Sequence, residues 1–205
     1  MYNIMKKRLI LLAAAAASLV SIACNKTEQP LEPAAEAYID ATSKTTWTYF
    51  SLSNGAVVGT GEENATDNAL WAARTDWDIA VCRYTVRTNS GKATSVGAKG
   101  GVYVSSETFE SLTSLPNGAS FATDEVVTSE GMGGTTSIVQ STATVILFMT
   151  NEYGSKVMPP VYLKAPVYVF RTADGKKYYK VEFTQYQDEN KVTGHVKFNY
   201  ARIKG

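Results

Sequence analysis

From about Tyr38 onward, apolar and polar side chains alternate with a period of two, the pattern of half-buried strands. Trp47–Leu52 is rich in aromatic and β-branched residues, and Asn54-Gly55 follows as a turn signal. Asp76–Thr88 sets Trp77, Ile79 and Val81 against Asp78, Ala80 and Cys82. Gly101–Ser105 reads as a short strand. Glu125–Glu130 and Thr135–Gln140 flank Gly131-Met132-Gly133-Gly134, a hairpin with a glycine-rich tip. Val145–Met149 is a continuous apolar run, expected to be a buried strand with Met149 as core filler. Val167–Arg171 and Lys177–Phe183 are joined through Asp174-Gly175, and Gly194–Tyr200 places Val196, Phe198 and Tyr200 on one face. One short helix is expected within Glu62–Ala73. Many short strands separated by turns predict an all-β fold, an antiparallel sandwich or open barrel.

The pattern is different before Tyr38. Lys6-Lys7-Arg8 is a basic leader, Leu9–Val20 is an Ala-rich apolar run short for a membrane span, and Ser21-Ile22-Ala23 precedes Cys24. That order predicts a lipoprotein signal peptide over residues 1–23, cut before Cys24, whose thiol takes the lipid. Each buried methylene of the acyl chains contributes about 0.8 kcal/mol to membrane anchoring. Residues 24–37 are polar, contain Pro30 and Pro33 and show no period, so they read as a flexible tether. The β domain is expected over 38–205.

Charge and composition narrow the chemistry. Without Lys6, Lys7 and Arg8, the 20 basic residues fall to 17 against 19 acidic, a net charge of −2. No basic stripe points to nucleic acid. With Cys24 acylated, Cys82 has no partner for a disulfide. The one histidine, His195, rules out multi-histidine metal sites and is expected on a solvated face. Nucleophile-elbow, Walker and dinucleotide motifs are missing. The acid pairs Glu62-Glu63 and Asp76/Asp78 are expected on ordinary solvated loops. The composition therefore favours binding over catalysis, with a glycan-acting enzyme the least favoured reading.

Two pairs of blocks carry a family resemblance. Thr46–Gly55 and Asp76–Arg87, with its Trp77-Asp78-Ile79-Ala80, are similar to the opening blocks of HmuY-type haem-binding lipoproteins. Phe170–Gly175 and Val181–Asp188, with its Tyr186-Gln187-Asp188, resemble the closing blocks. The resemblance spans about Ile39 to Tyr200. It implies an all-β fold in which two finger-like loops form a cleft that grips one haem. It also implies an outer-membrane, cell-surface location through the lipid anchor. Haem captured from host haemoproteins would pass to a TonB-dependent receptor. The alternative is a surface adhesion or scaffold module that kept this fold without the ligand.

The family's best-known member holds iron with one histidine on each finger, and this chain has none at either place. By the resemblance, the first finger corresponds to Gly131–Gly134 and the second to about Tyr153–Lys164; they carry Met132 and Met158. Some family members use methionines. A thioether is a soft neutral donor that favours ferrous iron, and methionine is an axial ligand in cytochromes. Met132 and Met158 are therefore the expected axial ligands, with Met149 a weaker candidate. Gly131, Gly133 and Gly134 would let the backbone approach a flat ring closely. Tyr153 and Tyr162 are candidates to stack on the ring or bond a propionate, whereas Tyr168 is expected to pack in a strand.

Overall fold

The computed structural model describes residues 33–131 and 134–205. The segment expected to be a signal peptide, Cys24 and most of the expected tether lie outside the described residues, as do Met132 and Gly133.

Among the described residues, thirteen strands form antiparallel sheets, and there is one α-helix. Their order is β1 (Ala35–Asp40), β2 (Thr46–Ser51), β3 (Ala56–Glu62), α1 (Ala65–Ala72), β4 (Ile79–Cys82), β5 (Thr85–Thr88), β6 (Gly101–Ser105), β7 (Glu125–Gly131), β8 (Gly134–Gln140), β9 (Ile146–Phe148), β10 (Tyr162–Lys164), β11 (Val167–Arg171), β12 (Tyr178–Gln187) and β13 (Thr193–Ile203). A five-stranded sheet runs β1-β13-β12-β11-β6 and a four-stranded sheet runs β3-β2-β4-β5. Two further pairs, β7-β8 and β9-β10, stand as separate two-stranded sheets. This is the expected all-β class, with no closed barrel among the described residues.

Alternation explains the layering. Phe50, Ile79, Val81 and Val86 of the four-stranded sheet meet Tyr168, Phe170, Val181, Phe183, Val196 and Phe198 of the five-stranded sheet in the main core. The intervening residues point outward and need their own cover. Behind the four-stranded sheet, Trp47, Tyr49, Ala80 and Cys82 are covered by Trp71 of α1 and by Trp77. Behind the five-stranded sheet, Val167, Val169, Ala201 and Ile203 are covered by Phe109 and Leu112 of the segment after β6. Each fully buried side chain of this size contributes about 1.5–3 kcal/mol.

Several expectations need correction. The fold begins at Ala35, three residues inside the segment read as tether. Ala35–Ala37 pair with Tyr200–Phe198, and ladder hydrogen bonds do not require an apolar side chain. Trp77 does not share the face of Ile79 and Val81. The chain bends just before β4, so Trp77 packs with Tyr49 and Trp71, its Nε1 donating to the Trp71 carbonyl at 3.0 Å. Asp78 is not on a solvated loop. It is buried, accepting from the backbone N–H of Leu52 at 2.8 Å and of Ala173 at 2.9 Å, and so fastens two turns together. Glu63 is also engaged, accepting from Trp47 Nε1, Asn68 and Arg87. The expected helix forms over Ala65–Ala72 because Asn64 caps it, its side chain accepting from Asp67 N. Tyr168 packs in the core as expected.

Candidate functional site

The two separate hairpins, β7-β8 and β9-β10, correspond to the expected fingers, and the chain at the base of each is bonded to β5 or its flanks. Their meeting ground is the Arg83-Tyr84 turn between β4 and β5. Arg83 adopts a left-handed conformation there (φ 54°), and its guanidinium donates to the carbonyls of Thr42 and Thr193. Tyr84 packs edge-on against Phe148 of the second hairpin at 4.9 Å and lines a hollow with Ile138 of the first. Its carbonyl accepts from Val145 N at 2.9 Å and from Thr144 Oγ1 at 2.9 Å, on the chain that links the two hairpins.

The first finger, β7-β8, is mounted at its base by a buried carboxyl and a buried guanidinium. Asp124, just before β7, is fully buried and accepts from Thr88 N at 3.1 and 3.0 Å and from Thr88 Oγ1 at 2.5 Å. Burial pushes its carboxyl up to about 7 against the lowering effect of those donors. Gly91 lies so close that a Cβ there would sit 2.2 Å from the Asp124 carbonyl oxygen, and its φ of +51° also requires glycine. On the return strand, Arg87 Nε donates to the Val139 carbonyl at 2.6 Å, while Arg87 also pairs with Glu63 at 2.6 Å and lies 3.9 Å over the Trp47 ring. Ser141 N and Oγ both donate to the Val86 carbonyl. The hairpin then runs in regular register to Gly131 opposite Gly134. Gly134 has a φ of +102° and open space where a side chain would be.

The second finger is β9-β10 with the loop between them. Alternation splits it into two faces. Phe148 and Tyr162 point inward, packing edge-on with each other at 5.6 Å; Phe148 meets Tyr84 at 4.9 Å and Tyr162 meets Tyr186 at 5.4 Å. Leu147, Met149, Val161 and Leu163 lie on the other face, each about 40% exposed. Met149 is therefore not core filler, and the run Val145–Met149 is buried only at Val145 and Ile146. The finger has left the sandwich by Leu147, so no second layer covers its outer face. The loop beyond is held by its own backbone: Asn151 Oδ1 accepts from Tyr153 N and Ser155 N, and Val157 N donates to Met149 O.

The expected site residues divide accordingly. Tyr153 is 83% exposed and Met158 80% exposed, both on the second-finger loop. Tyr162 is half-buried at that finger's base and is held by aromatic partners. Gly131 and Gly134 close the first finger's ladder, while Met132 and Gly133 between them are outside the described residues. Beside β10 a hollow of about 400 Å³ opens between Tyr162, Leu163 and Lys164 and the bulged end of β12, Phe183–Gln187. Among the described residues, no three His, Cys, Asp or Glu side chains gather in a way that could hold a metal ion. Cys82 is buried and its thiol is pushed up to about 11 by desolvation, so it remains protonated at neutral pH. His195 accepts from or donates to the Tyr38 hydroxyl at 2.7 Å, 3.8 Å from Asp188, on the β1-β13 pair.

The sequence gives no warning of Asp124, Arg87 or Tyr84, the residues that seat the fingers. Their only signal is a charge or an aromatic ring placed next to strand residues.

A profile of the family described as HmuY protein matches residues 43–200. No curated protein sequence matches the chain significantly. Among crystal structures, an apo HmuY analogue from Tannerella forsythia superposes with a TM-score of 0.58 at 23% identity, over 85% of this chain and 99% of that one. A Bacteroides vulgatus protein described as HmuY-like and haem-binding gives 0.57 at 24% identity, over 82% and 90%. A Bacteroides fragilis protein described as a lipoprotein gives 0.57 at 23% identity, over 82% and 88%. At these identities the likeness is one of fold.

Proposed function

The chain belongs to the HmuY family, and from that premise we propose that it is a haem-binding lipoprotein whose two fingers grip the porphyrin, with Met132 and Met158 as axial ligands of the iron. The observation that carries this reading is the setting of Met158. An apolar, flexible side chain normally fills a core, yet this one is 80% exposed on the loop of the second hairpin, and the sequence sets a second methionine among the glycines that follow β7. The donor set fits haem. Thioethers are soft and neutral, so they leave the charge of ferrous iron and porphyrin unchanged and favour the reduced metal.

Most of the affinity need not come from the iron. Covering roughly 400 Å² of apolar porphyrin contributes on the order of 10 kcal/mol before the costs of association. Tyr153 at the second-finger tip and the open backbone at Gly134 supply flat contact, with Gly131 and Gly133 allowing close approach. The protein would be held on the outer membrane through lipid on Cys24. It would take haem from host haemoproteins and pass it to a TonB-dependent receptor. Its work is then capture and release, not catalysis.

Optical titration tests this. Adding haem under dithionite should give a saturable Soret band, and Met132→Ala with Met158→Ala should shift it. An unchanged reduced spectrum in the double variant sinks the ligand assignment. No spectral response from the wild type sinks haem binding itself.

A further inference from the structure

We propose that Lys156 is the residue that recognises the carboxylates of the ligand held between the fingers, and so selects a porphyrin bearing free propionates over its neutral ester. The inference rests on the haem reading and adds a specificity determinant to it.

The charges of the fingers set the problem. Strands and loops over 125–140 and 146–164 contain Glu125, Glu130 and Glu152 but only two cations, Lys156 and Lys164. A ligand with two carboxylates would meet a net negative cleft. Lys164 is already taken, its Nζ 2.5 Å from Glu182. Lys156 has no carboxylate partner among the described residues. Its ammonium instead lies 3.7 Å over the Phe148 ring and 5.3 Å from that of Tyr84. That places the one finger cation without a carboxylate partner against the aromatic rings at the foot of the second finger, two residues from Met158, on a side chain that stays open to solvent.

The contact is easily given up. An exposed cation–π pair is worth about 0.5–1 kcal/mol, and the lysine stem is flexible. A charge-assisted bond to a carboxylate is stronger than the contact it replaces. Swinging away would also uncover the Phe148 ring for a flat ligand. Lys44, beside the neighbouring hollow that Tyr84 and Ile138 line, is the competing cation.

The test compares haem with haem dimethyl ester, whose propionates are uncharged. Lys156→Ala should weaken haem binding by about fivefold, leave ester binding unchanged, and lose this difference at high salt. Lys156→Arg should restore haem binding. Equal weakening for both ligands, no weakening for haem, or a loss that follows Lys44→Ala instead would overturn the assignment. If the wild type binds neither ligand, the haem reading itself fails and the role of Lys156 with it.

Discussion

Burial couples the titration of Asp124 to folding. Its carboxyl sits at about 7 when folded, against about 4 in an unfolded chain. Between these values the folded protein holds a proton that the unfolded chain has released. Its stabilising effect is therefore complete below pH 4, falls as pH rises toward 7, and is flat above that, at no more than about 1.4 kcal/mol per pH unit. Asp124→Asn should flatten that decline when urea midpoints are compared from pH 4 to 8. Asp78, also raised by burial, adds a slope of the same sign that the variant keeps, so the difference between the two proteins is the readout. An identical pH profile contradicts the assignment. Asp78→Ala should cost about 2–4 kcal/mol in denaturant unfolding, since it strands the buried N–H groups of Leu52 and Ala173. Asp78 stands in the Trp77-Asp78-Ile79-Ala80 block that carries the family resemblance. Asp78 fastens turns, Trp77 and Ala80 fill the layer under α1 and Ile79 fills the main core, so the legible signature marks the frame and not the ligand site.

Elements were legible wherever both faces of a strand have a fixed destination. β11, β12 and β13 lie where alternation and the Asp174-Gly175 turn put them, because their faces meet packed layers. β9 was misread for the opposite reason. An apolar run looks the same in a core strand and in a projecting finger, and only the tertiary position of Leu147 and Met149 tells them apart. The first finger hairpin was legible, but its seating was not, because Arg87 and Asp124 act across 52 and 36 residues of chain. That seating makes a prediction. Arg87→Met should speed amide hydrogen exchange in β7 and β8 by about tenfold while leaving β12 and β13 slow. Uniform acceleration would show that Arg87 supports the whole sandwich and not the finger.

At the scale of the whole fold, the described residues form a sandwich with its own buried layers and two hairpins that stand outside its main sheets. A frame stabilised by its own buried layers can stay folded while the cleft empties and fills, which suits a carrier that must release what it binds. Ligand bound only by the native state must then raise its melting temperature. Haem at 100 times its dissociation constant should add about 2.7 kcal/mol of stability. A melting temperature indifferent to haem would favour an adhesion or scaffold module on the same fold. The most direct test looks at the iron itself. X-ray absorption of the reduced haem complex should show sulfur neighbours that disappear in the Met132→Ala, Met158→Ala double variant. A first shell of nitrogen and oxygen alone, or sulfur that survives both substitutions, would contradict the account.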